Sequence, residues 1–232
     1  MFDPRYMEQV NLVLGCMPAV ADQACFALKG GSAINLFVHD MPRVSVDIDL
    51  TYLPVAARDI SLASIEFALR TIKSKVESGL DGVVVNEKRI QGHVAKLTVI
   101  SSAAEIKIEP NLILRGALGE PVRRELCPAA QVAFEAYCMV PVVSDADLYA
   151  GKICAALDRQ HPRDLFDVKI LLDDTGITPA IRHAFVVYLA GHNRPMHELL
   201  SPNLVDITDT FERQFAGMAR EPVTIGELVA IR

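Results

Sequence analysis

The sequence predicts an α+β fold, a mixed sheet flanked by helices over residues 1–125 followed by a helical domain over residues 126–232. Three observations predict it. Residues 44–52 alternate strictly: Val44, Val46, Ile48 and Leu50 fall on one side and Ser45, Asp47, Asp49 and Thr51 on the other, the period of a strand. Further strand-like stretches cluster in the first half, whereas helical spacing fills the second. Finally, 51% of the 232 residues are hydrophobic and 22% charged, ample for a buried core.

The elements follow in order. Residues 7–14 have helical spacing. Residues 25–28 form a short apolar strand running into Gly30-Gly31-Ser32, where Ser32 is placed to cap a helix through Asn35, Leu36 and Phe37. The alternating strand 44–52 comes next, then helical spacing over 60–76. Three strands are expected at 83–89, 93–100 and 104–108, with turn signals at Asp81-Gly82, Gln91-Gly92 and Ser101-Ser102. Residues 145–159, 163–172, 179–189 and 204–218 read as helices. Pro162 suits a first turn, and Gly151, inside the first of the four, marks a weak point or a close contact.

Composition excludes several classes. With 29 acidic and 23 basic residues the net charge is −6, and the acidic excess lies in the second half. Bulk charge therefore does not coat nucleic acid. Contact with RNA would need local patches, for which Arg70, Lys73 and Lys75, then Lys88, Arg89 and Lys96, then Arg115, Arg123 and Arg124 are available; each is equally a solvated face. No apolar run approaches the ~18 residues that span a bilayer. The N-terminus shows no basic stretch followed by an apolar one, so a soluble, cytoplasmic protein without a membrane partner is expected. The 5 cysteines are widely spread without a C-x-x-C pair, and buried free thiols are expected. The histidines show no metal-ligand spacing, and no Ser/His/Asp or Cys/His nucleophile arrangement is apparent.

The chemistry lies in the carboxylates. Asp47 and Asp49 share one face of a strand whose other face is aliphatic. Like charges so placed repel unless a cation sits between them, and their hard oxygens suit Mg²⁺ or Mn²⁺. Alone, such a pair is also an ordinary solvated face. Upstream, the Gly-Gly-Ser turn lets backbone approach a phosphate. Downstream, Glu105, Lys107 and Glu109 share one face of AEIKIEP. Three carboxylates from two strands beside a glycine-rich turn are the equipment of two-metal phosphoryl transfer.

The order GGS, S-x-D-I-D, K-I-E resembles the DNA polymerase β-type nucleotidyltransferase superfamily. KGGSAINLFVHDMPRVSVDIDLTYLP, KICAALDRQHPRDLFDVKILL and RPMHELLSPNLVDITDTFERQFAGM narrow the resemblance to the AbiEii/AbiGii family, nucleotidyltransferase toxins of type IV-like toxin–antitoxin and abortive-infection systems, over nearly the whole chain. The resemblance implies a polymerase β-like nucleotidyltransferase core with a helical C-terminal domain. It implies that Asp47, Asp49 and Glu109 hold metal, with Glu109 as ligand or proton acceptor. Gly31 and Ser32 would bind the phosphates of an NTP co-substrate, and Lys152 the triphosphate. Asp164 or Asp167 would orient Lys152, with Lys107 and Arg159 as further nucleotide contacts. Ser45 matches a position that an antitoxin modifies in some relatives. The implied acceptor is RNA, particularly tRNA, and the implied partner an antitoxin that is often a DNA-binding repressor. A small-molecule nucleotidyltransferase, such as an aminoglycoside-modifying one, and a non-catalytic binding module of the same fold are the alternatives. From spacing alone, Lys152 and Arg159 share a helix face, which places them either against a polyphosphate or in pairs with nearby aspartates.

Overall fold

The computed structural model describes residues 2–232. Helix α1 (Pro4–Ala21) opens the chain, capped by Asp3, whose carboxylate accepts the Arg5 N–H at 2.9 Å. Strand β1 (Phe26–Lys29) runs directly into α2 (Gly30–Ala33), which continues as a π-helical turn over Ile34–Val38. Then come β2 (Ile48–Tyr52), α3 (Arg58–Gly79), β3 (Val84–Ile90), β4 (His93–Ile100), β5 (Glu105–Pro110), β6 (Val122–Glu125), α4 (Pro128–Phe134) and β7 (Met139–Val142). The helices α5 (Asp145–Arg159), α6 (Pro162–Asp174), α7 (Pro179–Ala190), α8 (Met196–Leu200), α9 (Thr208–Gln214) and α10 (Ile225–Val229) complete the chain.

The seven strands form one mixed sheet in the order β3-β4-β5-β2-β1-β7-β6. β2 runs parallel to β5 and β1 parallel to β7, while the remaining neighbours are antiparallel. Helices α1 and α3 cover one face. Ile48, Leu50, Leu97, Val99, Ile106 and Ile108 point toward them and are buried. The alternate residues of β2, β4 and β5, Asp49, Lys96 and Glu109 among them, therefore face the other way.

Local signals explain most boundaries, and packing explains the departures. The helices 145–159 and 179–189 and the strand 93–100 form as expected. The alternating stretch 44–52 is strand only from Ile48: Val44 instead donates its N–H to Met218 O at 2.9 Å, and the Arg43 side chain leaves for α6. Ser32 does not cap a helix. The helix starts earlier, at Gly30, and the Ser32 hydroxyl donates to the Asp47 carbonyl. The expected helix 204–218 shrinks to α9, because Phe215 and Met218 turn into the core and Gly217 adopts φ +82°. The short strands β6 and β7 carry no strong pattern of their own, yet they extend the sheet past residue 125. The five cysteines are free thiols, with Cys16, Cys127 and Cys154 buried. No helix among the described residues is long and apolar enough to cross a membrane.

Candidate active site

Strand register builds the site. Lys29 of β1 pairs with Asp49 of β2, and Asp49 pairs with Glu109 of β5. Lys96 of β4 forms an ion pair with Glu109 and stands opposite Lys88 of β3. Residues in register share a face, so one row of five charges, Lys88, Lys96, Glu109, Asp49 and Lys29, crosses five adjacent strands. Asp47 stands two residues before Asp49 on the same side.

The two aspartates are part-buried. Among the described residues neither carboxylate has an ion-pair or hydrogen-bond partner; only the backbone carbonyl of Asp47 is engaged, by Ser32. Burial, then the charge of Asp49, push the Asp47 carboxyl above the usual carboxylate range, while Arg163 and Lys107 pull it back. Two adjacent carboxylates with no protein cation between them are a donor set suited to a hard divalent ion, which takes few protein oxygens and completes its shell with water or phosphate. Glu109 is turned to Lys96, and no cluster of three or more His, Cys, Asp or Glu side chains is close enough to hold a metal among the described residues.

The glycines serve close approach. Gly30 has φ +71°, and a Cβ there would collide with Asp49 Oδ2. A Cβ on Gly31 would lie 2.7 Å from both Arg43 Nη2 and Ser45 Oγ. Ser45 and Ser32 are themselves buried. Lys107 is part-buried on the sheet face beside Glu109.

Behind this face α5 and α6 bring a buried ionic chain. Arg43 donates through Nε and Nη2 to Asp167 at 2.8 and 2.6 Å. Asn35 donates to the same carboxylate at 3.0 Å. Lys152 lies 2.8 Å from Asp164 and 2.9 Å from Asp167, and Arg159 lies 2.6 Å from Asp164. Burial alone would push both aspartates up; Lys152 and Arg159 hold Asp164 down, and Arg43 and Lys152 hold Asp167 down. Burial likewise opposes charge on Lys152, but Asp164 and Asp167 outweigh it and raise its pKa. Of the two placements that spacing leaves open for Lys152, the pairing with nearby aspartates forms: the residue is 5% exposed and lies between Asp164 and Asp167.

A cavity of about 260 Å³ joins the two halves of the site, lined by Lys29, Asp49, Asn111, Lys152, Arg159 and Tyr188. Lys152 thus lines this cavity while it pairs with Asp164 and Asp167. Lys29 and Arg43 are the residues that sequence reasoning missed. Lys29 is part-buried without an ion-pair partner among the described residues; burial lowers its pKa, as do Lys152 and Arg159, against the pull of Asp49. Its position at the end of a strand entering Gly-Gly was the available signal. No local pattern marks Arg43.

A mixed sheet bearing this carboxylate row, backed by helices that supply cations, has the fold of a nucleotidyltransferase. It superposes on the nucleotidyltransferase toxin MenT4 of Mycobacterium tuberculosis H37Rv with TM-score 0.71 and 16% identity, over 97% of this chain and 81% of that one. JHP933 from Helicobacter pylori is a looser likeness, with TM-score 0.47, 15% identity, and 86% and 74% of the two chains covered. No curated protein matches the sequence. Residues 12–225 match the family described as nucleotidyl transferase AbiEii toxin, type IV TA system, and the chain belongs to that family of toxins.

Proposed function

We propose that the protein is a divalent-metal-dependent nucleotidyltransferase that moves a nucleoside monophosphate from an NTP to a hydroxyl of RNA, tRNA being the acceptor the family resemblance implies. Its biological role is that of a cytoplasmic toxin restrained by a separately encoded antitoxin, a DNA-binding repressor. One observation carries the reading: Asp49, unpaired with any protein cation and with Asp47 two residues before it on the same side, lines a cavity edged by Lys29, Lys152 and Arg159.

Asp47 and Asp49 hold Mg²⁺ or Mn²⁺, with Glu109 beside them in register. Such an ion, when bound, neutralises phosphate charge and acidifies an attacking hydroxyl. Lys29, Lys152 and Arg159 receive the β- and γ-phosphates and stabilise the charge that develops on pyrophosphate. Asp164 and Asp167 fix the Lys152 ammonium, and Arg43 fixes Asp167. Gly31 and Ser32 shape the backbone that the phosphates approach, with Ser45 packed beneath it and Lys107 adding positive charge near Asp47. Glu109 accepts the proton of the acceptor hydroxyl. The acceptor oxygen bonds to the α-phosphorus as the bond to the bridging oxygen breaks, and pyrophosphate leaves.

Incubating the protein with each labelled NTP, Mg²⁺ and total RNA tests this. Label in RNA that requires Mg²⁺ and is lost in Asp49→Ala supports it. Label confined to small molecules removes the RNA acceptor, and no transfer from any NTP removes the enzyme.

A further inference from the structure

Asp47 lies outside the sheet. β2 begins at Ile48, so no strand pairing fixes the first of the two aspartates. Beyond the Ser32 bond to its carbonyl, its place depends on the irregular stretch 39–47. That stretch is strained at Met41, a buried non-glycine residue with φ +54°. A left-handed backbone is costly for a residue with a Cβ, and the residue before a proline is restricted further. Such a conformation persists only where its surroundings hold it. Arg220 supplies the hold. Its N–H donates to the Pro42 carbonyl at 2.8 Å. Its guanidinium donates to the Asp40 carbonyl and lies 3.8 Å from the Asp40 carboxylate. One residue thus takes the carbonyls on both sides of Met41. Two residues further on, Arg43 bridges to Ala219, and Val44 donates its N–H to Met218 O at 2.9 Å. The gripping segment is itself seated: Phe215 and Met218 are buried, and the Gly217 carbonyl accepts the Asp3 N–H at 3.0 Å.

We infer that Arg220 is a positioning residue for Asp47: by clamping the backbone across Met41 it sets where the loop delivers this carboxylate to the divalent ion. The inference rests on the metal site proposed above. Arg220 does not line the nucleotide cavity, so its effect reaches the chemistry through the loop. Without the clamp Met41 relaxes toward an ordinary φ, and the residues that follow it turn. Arg43 stays bonded to Asp167, so the loop shifts rather than unfolds. The Arg220 side chain is 40% exposed and its carboxylate contact is long, an arrangement of little value to global stability. Its worth lies in the shape it imposes.

The test measures Mn²⁺ binding, NTP binding without metal, and melting temperature. Wild type is compared with Arg220→Ala, Arg220→Lys and Arg213→Ala, a control that removes an exposed arginine of α9 paired with Asp209. Arg220→Ala should weaken Mn²⁺ binding about tenfold, leaving NTP affinity and melting temperature near wild type. Arg220→Lys keeps a cationic donor for the Asp40 carbonyl and should recover part of the loss, and the control should change nothing. Wild type that binds no Mn²⁺ overturns the metal site and this inference with it. Wild type that binds Mn²⁺, with Arg220→Ala binding it equally well or the control weakened equally, overturns this inference alone. So does a loss accompanied by equal loss of NTP affinity, or by lower melting that Arg220→Lys does not repair, since the residue would then serve only the scaffold. Should Arg220→Ala fail to fold, Arg220→Lys decides: weaker Mn²⁺ binding at wild-type melting supports the positioning role, and unchanged binding overturns it.

Discussion

Asp47 and Asp49 repel one another in a part-buried setting, so removing either relieves strain in the metal-free protein while removing the donors that the chemistry needs. Asp47→Ala and Asp49→Ala should each reduce transfer by at least ~10³-fold without lowering the melting temperature. Near-wild-type turnover by Asp47→Ala would sink the mechanism. Lys152 poses the opposite case. Its ammonium compensates two carboxylates that are essentially buried, and truncation strands both. Lys152→Ala should therefore cost stability, about 3–5 kcal/mol, the range for breaking a buried pair. Lys152→Arg keeps the charge, so its melting temperature should recover more than its rate, because a planar fork cannot place a compact charge at both the aspartates and a phosphate. Measuring melting and single-turnover rate on the same three proteins separates the scaffold role from the binding role. A Lys152→Arg with fully normal rate would confine the residue to the scaffold.

At the level of elements, two junctions place the site. The first is the passage from β1 into α2, where Gly30 holds φ +71° against Asp49. Gly30→Ala should abolish transfer about as completely as losing Asp49, since the added methyl both strains the backbone and displaces the carboxylate. The check is activity against Mg²⁺ concentration, and full activity at high Mg²⁺ would refute the displacement. The second is the packing of α5 on α6 through Asp164. Its pKa is held below the usual 3.8 by Lys152 and Arg159 against the effect of burial. A carboxylate depressed on folding contributes stability that is present above its unfolded pKa and lost as pH falls below about that value. Wild type should thus lose melting temperature on acidification through and below 3.8, and Asp164→Asn, already less stable at neutral pH, should show a shallower fall. Parallel curves for the two proteins would show that Asp164 contributes nothing to the acid transition.

For the whole molecule, membership of the AbiEii toxin family sets the outcome in cells. Expression of the protein alone should arrest growth, and Asp49→Ala should restore it at equal soluble yield; normal growth with abundant active wild type would argue for a harmless small-molecule substrate instead. Much of the architecture was legible in advance. The strict alternation through Ile48 and Leu50, the turn signals around the β3–β4 hairpin, and the capped helices α5 and α7 are local features, fixed by side chains within a few residues of one another. What escaped was non-local. Strands β6 and β7 form because the sheet edge at β1 needs a partner, and α9 ends early because Phe215 has a core to enter. That Asp47 and Asp49 share a side was readable, because period-two spacing fixes which residues share a face, although Asp47 lies just before β2 and no third acid clusters with them among the described residues. The alignment of Asp49 and Glu109 into one row with Lys29, Lys96 and Lys88 was not, since register depends on which strands meet. The sequence by itself determined which residues carry charge and the face each takes along its own element. Only the tertiary structure decided the partners: that Arg43 would reach Asp167 on α6, and that Lys152 would be buried between two aspartates. Pairing energies of that kind arise between groups more than a hundred residues apart or on separate helices, and no local period records them.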